Sequence, residues 1–384
     1  MKLYKANPKL WNYGVNALTK SSEASSNLKL RFGDKGNAGP IGTVNLELSI
    51  LCNLRCNFCW WWGEKGIAFD LVKNKDSLVS QELTTQQIFN VVDQVSKDRP
   101  SFYLSGGEPF IRRDTVDIIE YITGKGMSVI TNNNGTLLTE EKLERLAKIK
   151  NLTINFSIDG PKDVHDGVRG NGMFEKTTST IKRLLELRGD SLYPAIKTNT
   201  TFHPGIQGRL DELIRYLQDE VGVDATRMQH LWFTDKAHAE QHKHMLRNLF
   251  GTNELGVDSH IITRPDPSYV SQLAEEISKI EHTKYRKPVF IHPLMTSQQI
   301  SSYYSDLSFT NKGRCLIAWN TILVKANGDV MFCPDEWMND FRLGNVKSQS
   351  VEKMWHGEKA RKFREELYKH KLFPACARCC VING

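Results

Sequence analysis

The sequence predicts an α/β protein in which six βα units form a parallel sheet covered by helices. From about residue 44 onward, short β-rich runs alternate with helical patterns, and this alternation is typical of a parallel sheet covered by helices. Six runs are candidate strands: Val44–Leu51, Phe102–Ser105, Ser128–Thr131, Leu152–Ile158, Tyr193–Thr200 and Met228–Phe233. Helical spacing is clearest in Gln87–Val95, where four aliphatic side chains fall on one face. Further helices are predicted near residues 114–124, 139–149, 174–188 and 208–220.

Length and composition agree with a folded globular protein. The chain has 384 residues, of which 40% are hydrophobic and 25% are charged. It can therefore form one large domain with a smaller one, or two domains of ordinary size. It contains no uninterrupted apolar run of about 18 residues, and its first residues lack the apolar core of a signal peptide. We therefore expect a cytoplasmic protein that does not contact a membrane.

Charge and cysteine content narrow the function. The net charge of +7 is modest, and the basic residues are scattered among nearly as many acidic ones, so nucleic acid is not an expected partner. Eight cysteines are too many to explain as disulfides in a reducing compartment. Three of them lie within residues 52–59, and five follow residue 314. This distribution predicts two separate metal sites.

The same patterns divide the chain into four segments. Residues 1–40 are polar and become rich in glycine and serine, so they are predicted to form an N-terminal extension. Residues 41–235 contain the βα units. Residues 236–308 are predicted to be a helical connector, and residues 309–384 a small C-terminal domain built around the second group of cysteines.

The first cysteine cluster lies in a single loop. Cys52, Cys56 and Cys59 directly follow the first predicted strand, at the edge where open α/β sheets build their sites. Three thiolates at this spacing can bind three irons of a 4Fe-4S cluster and leave the fourth iron without a protein ligand. A zinc site and buried structural thiols are the alternatives, although zinc usually takes four ligands in paired motifs.

This spacing, with the aromatic Phe58 directly before the last cysteine, resembles the signature of the radical S-adenosylmethionine (SAM) superfamily. Members of that family hold the amino and carboxylate groups of SAM on the open iron and pass an electron into the sulfonium. The products are methionine and a 5′-deoxyadenosyl radical. The resemblance covers roughly residues 44–235 and implies a partial (βα)6 barrel over that range.

Two further motifs carry the resemblance. The segment Ser105–Pro109 ends the second predicted strand, where the family places a Gly-Gly-Glu motif that receives the SAM amino group. The segment Ser157–Gly170 resembles a stretch of the sulfatase-maturating and peptide-modifying branches. By this resemblance Ser157 and Arg169 contact the SAM carboxylate, a role that suits the planar fork of an arginine, and Asp159 lies near the ribose. The SAM-binding residues implied are Phe58, Gly106, Gly107, Glu108, Asn134, Ser157, Asp159 and Arg169.

Five of these residues have simple structural alternatives. Phe58 is expected to pack against the adenine, and Asn134 is expected to lie in a turn at the same rim as the cysteine loop. Both could serve packing alone. For Ser157, Asp159 and Arg169 the alternative is a strand end followed by a solvated loop.

The C-terminal cysteines predict a second site. Gly328 and Asp329 lie between the β-rich runs Thr321–Lys325 and Val330–Cys333 and predict a hairpin turn, and a helix follows at about residues 350–367. The pattern resembles the auxiliary-cluster module SPASM and its shortened form, twitch. Five cysteines are fewer than a full SPASM module uses, so the twitch form with one auxiliary 4Fe-4S cluster is favoured. The expected ligands are Cys315, Cys333, Cys376 and Cys379, with Cys380 spare or substituting for its neighbour. A structural zinc site with four cysteines is the alternative.

Three weaker signals remain. Trp60–Trp62 could shield a radical site, but a packing role at the mouth of the barrel is favoured. His238 and His242 have the i, i+4 spacing of helical metal ligands, but their polar neighbours favour a solvated helix face. No general base can be identified. The candidates by position are Asp335, Glu336, His292 and Tyr303.

The resemblance implies a radical SAM oxidoreductase that abstracts a hydrogen atom from a substrate carbon, with the auxiliary cluster accepting an electron. A peptide or protein substrate is favoured, because the segment Ser157–Gly170 resembles that branch. A sugar, aminoglycoside or other small biosynthetic intermediate is the alternative, since residues 1–40 show no peptide-recognition domain. An electron donor such as flavodoxin or ferredoxin is the expected partner. A non-catalytic iron-sulfur or zinc-binding protein is the alternative of another class.

Overall fold

The computed structural model describes residues 34–63, 66, 80–252, 256–262, 264–310, 313–333 and 341–379. Seven parallel strands lie side by side in chain order: β1 (Thr43–Ser49), β2 (Ser101–Gly106), β3 (Val129–Asn133), β4 (Leu152–Ser157), β5 (Ala195–Thr201), β6 (Ala225–Gln229) and β7 (Val289–His292). On the other side of β1 the sheet continues with a parallel strand and then two antiparallel strands: β8 (Thr321–Val324), β9 (Asp329–Met331) and β10 (Gly344–Asn345). The predicted α/β class with a parallel-strand sheet is confirmed.

Helices connect the strands in the expected alternation. They are α1 (Thr85–Val95), α2 (Thr115–Gly124), α3 (Glu140–Leu146), α4 (Lys162–Arg169), α5 (Met173–Arg188), α6 (Leu210–Arg215), α7 (Lys236–Phe250), α8 (Pro267–His282), α9 (Ser297–Ser305), α10 (Val351–His356) and α11 (Glu358–His370). A π-helical turn, Tyr216–Val221, extends α6. Within the described ranges, no helix combines the length and apolar character needed to cross a membrane.

The first helix shows how local chemistry sets an element boundary. Thr84 Oγ1 accepts a hydrogen bond from the Gln87 backbone N–H at 3.3 Å, and Gln87 Oε1 accepts one from the Thr84 N–H at 2.9 Å. This reciprocal capping box starts α1 at Thr85, two residues before the predicted start. The four aliphatic side chains of the predicted face are all buried.

The parallel strands present one apolar face and one polar face, because successive side chains of a strand point to opposite sides. On the apolar face, residues such as Leu46, Ile154 and Ile196 are 0% exposed. The strand register places a set of polar residues on the opposite side, and we call this set the polar face. Its members are Asn45, Tyr103, Asn132, Asn155, Lys197, Asn199, Arg227 and Gln229. Parallel strands are usually apolar on both sides, so the polar face departs from the usual pattern.

The sixth strand lies earlier in the chain than predicted. β6 covers Ala225–Gln229, whereas the prediction was Met228–Phe233. The prediction extended to Phe233 because apolar residues follow Gln229, but Phe233 lies outside the strand. Its ring is stacked on Tyr304 of α9, with the ring centroids 5.8 Å apart.

The segment predicted as a helical connector also contributes a strand. Residues 236–308 contain α7, α8 and α9, but between α8 and α9 they form β7, which pairs in parallel with β6. The strand is only four residues long and lies between Pro288 and Pro293. Proline is confined to the ends and edges of sheets, which explains why the pattern did not reveal this strand.

The predicted C-terminal hairpin is confirmed. Leu323 pairs with Met331 and Val324 pairs with Val330 in antiparallel register. Gly328, at the turn, has φ +90°, a backbone conformation that glycine adopts without strain. The hairpin adds β8 to the edge of β1, so the C-terminal segment shares one sheet with the βα units.

Candidate active site

The predicted cysteine loop begins three residues after the end of β1, and backbone or side-chain donors lie near each of its sulfurs. The Leu54 N–H donates to Cys52 Sγ at 3.4 Å, and the Trp62 N–H donates to Cys59 Sγ at 3.3 Å. Arg169 Nη1 donates to Cys56 Sγ at 3.7 Å. Donors that surround ligand sulfurs stabilise thiolates on a metal centre. The donor set therefore fits an iron-sulfur cluster.

Burial acts against thiolate formation when no metal is bound. It raises the pKa of Cys52 to about 12 and raises the pKa of Cys56 as well. A metal centre reverses this balance, because a coordinating thiol is deprotonated outright. Across the described ranges, no three Cys, His, Asp or Glu side chains converge on one point that could hold a single metal ion. In a 4Fe-4S cluster each cysteine binds a different iron, so such convergence is not required.

The Gly-Gly pair packs directly against the start of the cysteine loop. The Gly107 N–H donates to Ser49 O at 2.9 Å, and the Glu108 N–H donates to Leu51 O at 2.7 Å. A Cβ atom on Gly106 would lie 2.2 Å from Ser49 O, and one on Gly107 would lie 2.3 Å from Leu51 O. Only glycine fits this close approach of two backbones, so the motif positions the cysteine loop whatever else it binds.

Substituting Gly107 with alanine tests this close approach. We expect Gly107→Ala to lower the free energy of unfolding by about 1 to 3 kcal/mol, because the new methyl group meets backbone that must shift. We also expect weaker retention of iron by the cysteine loop. Denaturant unfolding and an iron assay measure both effects.

The matched control is Gly124→Ala at the end of α2, where an added Cβ meets nothing within 4 Å. This variant should be as stable as the parent, or about 0.5 to 1 kcal/mol more stable. Equal stabilities for the two variants would contradict the proposed packing of the Gly-Gly pair.

Glu108 ties the ends of β2 and β3 together. Its side chain is 2% exposed. Oε1 accepts a hydrogen bond from the Phe110 N–H at 3.0 Å, and Oε2 accepts one from the Asn134 N–H at 2.8 Å. Burial raises the pKa of Glu108 to about 7, although these hydrogen bonds and the Arg169 charge act in the opposite direction. Contact between this carboxyl group and the SAM amino group stays a prediction.

Asn134 joins the cysteine loop to the same network. Its Nδ2 donates to Asn53 Oδ1 at 2.9 Å, and Asn53 Nδ2 donates to Thr136 Oγ1 at 2.8 Å. Thr177 Oγ1, on α5, donates to Asn134 O at 2.7 Å. Asn134 therefore holds Asn53, the residue that follows Cys52, in place. The sequence analysis missed Asn53, whose only signal was its place inside the cysteine motif.

Asp159 and Arg169 form a buried ion pair beside the cysteine loop. Arg169 Nε donates to Asp159 Oδ2 at 2.6 Å, and the two side chains are 14% and 1% exposed. Burial alone would lower the pKa of Arg169, but Asp159 and the neighbouring Cys56 raise it above its ordinary value. Nη2 of Arg169 has no hydrogen-bond partner in the part of the chain that the structure describes, and it is the nitrogen left to meet a carboxylate.

Phe58 lies against a histidine that the sequence analysis missed. The Phe58 and His203 ring centroids are 5.4 Å apart at an interplanar angle of 39°. His203 Nε2 lies 2.8 Å from Asp159 O, and the residue follows β5 by two positions. Position at a strand end was its only sequence signal. Packing of Phe58 against adenine stays a prediction.

Backbone hydrogen bonds bring three of the C-terminal cysteines, Cys315, Cys376 and Cys379, to the same part of the last segment. The Cys315 N–H donates to Lys371 O at 3.0 Å, which brings Cys315 beside the chain that leads to Cys376, and the Cys379 N–H donates to Cys376 O at 3.1 Å. Cys333 ends the described part of the hairpin. All four predicted ligands are half-buried. Cys380 lies outside the described residues, as do Asp335 and Glu336.

Comparison with known proteins decides the family. A model of the radical SAM superfamily matches residues 46–217, and a model of the iron-sulfur cluster-binding domain SPASM matches residues 315–380. The chain belongs to the radical SAM superfamily. It therefore has the SAM-binding 4Fe-4S cluster and SAM as cofactors, together with auxiliary iron-sulfur binding in its SPASM domain. That the domain binds one auxiliary cluster stays a prediction.

Proteins similar in sequence to this radical SAM protein have different functions, as three of them show. AdoMet-dependent heme synthase of Methanosarcina barkeri is 37% identical over 36% of this chain and 37% of its own length. A tungsten-containing aldehyde ferredoxin oxidoreductase cofactor-modifying protein of Pyrococcus furiosus is 25% identical over 88% of this chain and 86% of its own. A serine-type anaerobic sulfatase-maturating enzyme of Bacteroides thetaiotaomicron is 24% identical over 89% and 80%.

A solved structure supports the fold. Streptococcus suis SuiB aligns with this radical SAM protein at a TM-score of 0.62 and 14% identity, covering 91% of this chain and 73% of that one. At this identity the likeness concerns the fold alone.

The tryptophans after the cysteine loop pack beneath it. Trp61 and Trp62 are 6% and 2% exposed, and their indole N–H groups donate to the same acceptor, Ile50 O, at 3.1 and 2.7 Å. This agrees with the favoured packing role. Trp60 lies beside His260, with ring centroids 5.3 Å apart.

Two other weak signals have definite outcomes. The prediction of a solvated helix face is wrong for His242, which is 0% exposed because α7 packs against Pro374–Arg378. His238 instead helps to cap α7, with Nδ1 2.9 Å from Asp235 Oδ1. Tyr303, a positional candidate for the general base, is fully buried, with its hydroxyl 2.9 Å from the carbonyl of Leu231.

His230 gives a pH-dependent prediction. It is 1% exposed and lies 3.0 Å from the Tyr304 hydroxyl through Nδ1, and burial, with a smaller effect from His292, lowers its pKa to about 3. Below the ordinary histidine pKa of 6.5, His230 binds a proton in the unfolded chain but not in the folded chain. The stability present above that pH is therefore lost as the pH falls toward about 3.

The test compares His230→Gln with the parent in urea unfolding at about pH 7 and about pH 5. We expect the variant to lose less stability than the parent between the two values. His244→Gln, at an exposed position on α7, is the control and should behave as the parent does. If the parent and His230→Gln lose the same amount, the assigned direction of the pKa shift is wrong.

Proposed function

We propose that this radical SAM protein is an oxidoreductase that abstracts a hydrogen atom from a carbon of a peptide or protein substrate. The observation that carries the SAM-binding step of this proposal is the arrangement of Arg169. Its guanidinium lies against Asp159 on one side and the Cys56 sulfur on the other, and Nη2 is left over at the cysteine loop. A group so placed can orient a carboxylate next to a cluster held by that loop.

The bound cluster and SAM supply a 5′-deoxyadenosyl radical when an electron is delivered. The protein's own residues bind and orient the cluster and SAM. Cys52, Cys56 and Cys59 would bind three irons of the cluster, and the fourth iron would be left for the amino and carboxylate groups of SAM. Arg169 donates a hydrogen bond from Nη2 to the SAM carboxylate. Ser157, at the end of β4, donates a second one from its hydroxyl.

The SPASM domain supports the oxidative part of the proposal. Loss of a hydrogen atom leaves a substrate radical, and net oxidation requires that one more electron leaves. The cluster held by Cys315, Cys333, Cys376 and Cys379 would accept this electron, and a small donor such as flavodoxin or ferredoxin would reduce the first cluster.

A protein or peptide substrate is supported by the sulfatase-maturating relative, because the similarity extends over 89% of this chain. The second candidate is a small molecule or cofactor. It is favoured by the heme synthase, which is 37% identical over a shorter stretch, and by the cofactor-modifying relative, which is similar over 88% of this chain.

Deuterium transfer distinguishes these candidates. The anaerobically reconstituted protein is reduced with SAM in the presence of peptides that carry deuterium on their side-chain and α carbons. We expect deuterium in the 5′-deoxyadenosine and a peptide product that has lost two hydrogen atoms. Transfer from a deuterated porphyrin or sugar instead of any peptide would overturn the peptide proposal in favour of the second candidate.

A further inference from the structure

We propose that Lys197 and Arg227 form a subsite that binds a carboxylate of the substrate, which for a peptide is an acidic side chain or the C-terminus. The inference rests on the proposed function, since it places the substrate on the polar face. It starts from two cations on adjacent strands. Lys197 lies on β5 and Arg227 lies on β6.

The register puts both side chains on the polar face. Lys197 pairs with Ala225, and Asn199 pairs with Arg227, so the two cations are diagonal neighbours on one side of the sheet. The intervening residues Thr198 and Thr226 point the other way and are 0% exposed. Lys197 and Arg227 are half-buried, and this intermediate exposure leaves them accessible from the polar face.

Neither cation has an ion-pair or hydrogen-bond partner among the residues that the structure describes. Asp224 is the acidic group that acts on Lys197, but its carboxylate is already bound by Arg188 and accepts the Ile196 N–H at 2.7 Å. Burial lowers the pKa of Lys197, the charge of Asp224 acts in the opposite direction, and Arg227 adds to the lowering. Two half-buried like charges that lack a contacting counterion destabilise the protein. A bound carboxylate would relieve both costs.

Asn199 supplies an independent sign of a ligand. It is 9% exposed, and its buried Oδ1 has no hydrogen-bond partner in the described structure. In the register it lies opposite Arg227 on one side and Ser157 on the other. An orphaned amide oxygen costs free energy unless a ligand donates to it. A substrate N–H next to the bound carboxylate satisfies it, which is the pattern that an acidic peptide residue presents.

The site lies on the sheet below the predicted SAM position. Ser157 ends β4 and is predicted to contact SAM, and Asn199 pairs with it. Lys197 lies two residues farther from the carboxyl end of β5. A carboxylate bound there would anchor the substrate while a neighbouring carbon reaches up toward the SAM site.

The test uses lysine acetylation and does not depend on turnover. The reconstituted protein is treated with a limiting amount of acetic anhydride, with glutarate or the neutral isostere glutaramide present, and acetylation is read by peptide mass spectrometry. Glutarate at about ten times its dissociation constant should slow acetylation of Lys197 about tenfold, because about nine-tenths of the site is then occupied. Glutaramide should have no effect, and neither compound should protect the exposed Lys176.

Arg227 variants complete the test. Arg227→Gln should abolish protection by glutarate, and Arg227→Lys, which keeps the charge, should restore part of it. Equal protection by glutarate and glutaramide, or no protection of Lys197 in the parent, would overturn the subsite. These results are separate from the proposed function, because deuterium transfer to 5′-deoxyadenosine from a neutral peptide would leave the hydrogen-abstraction proposal standing.

Discussion

Replacing Cys52, Cys56 and Cys59 together with alanine should remove about four irons per chain from the anaerobically reconstituted protein, which should contain about eight. The three sulfurs lie in one loop, and each has a nearby hydrogen-bond donor. The variant keeps no cysteine in this loop, so the loss should be complete. Iron and sulfide assays on both proteins measure the result.

The complementary variant replaces Cys376 and Cys379. It should lose the auxiliary cluster and keep the first one, again about four irons per chain. A parent with about four irons and a triple variant with none would mean that the C-terminal cysteines hold zinc or nothing. The proposed electron acceptor would then have to be abandoned.

The second large effect concerns the buried pair beside the loop. Arg169→Leu should lower the free energy of unfolding by roughly 3 to 5 kcal/mol, because it leaves the carboxylate of Asp159, 1% exposed, without its counterion. The same change should weaken SAM binding through loss of Nη2. Urea unfolding and equilibrium dialysis with SAM measure these two effects.

A neutral double variant is the control. Asp159→Asn with Arg169→Gln removes both charges and keeps the hydrogen-bonding shape, so most of the stability should return. SAM binding should not return, because the cation is still absent. If the double variant bound SAM as well as the parent does, Arg169 would be a purely structural residue.

Much of the fold could be predicted from the alternation of β-rich runs with helical patterns. The strands β1 to β5 and the β8–β9 hairpin follow the predicted runs closely, because their buried positions alternate with polar ones or end at clear turn residues. β7 was missed since four residues between two prolines give no period. His242 was misjudged because the surface that covers it comes from the other end of the chain.

The site divides in the same way. Motif spacing pointed to Cys52, the Gly-Gly pair and the Ser157–Gly170 segment before any geometry was known. The residues that hold these groups in place, Asn53 and His203, could not be predicted. Their roles depend on which strand ends meet at the sheet edge, and no local pattern carries that information.

The central claim is that this chain cleaves SAM reductively. The most direct measurement is the yield of 5′-deoxyadenosine from the reconstituted protein after anaerobic reduction with SAM, set beside the Cys52/Cys56/Cys59 triple alanine variant. The account predicts nucleoside from the parent and none from the variant. A parent that binds SAM and keeps its clusters but forms no 5′-deoxyadenosine, with or without candidate peptides, would contradict it.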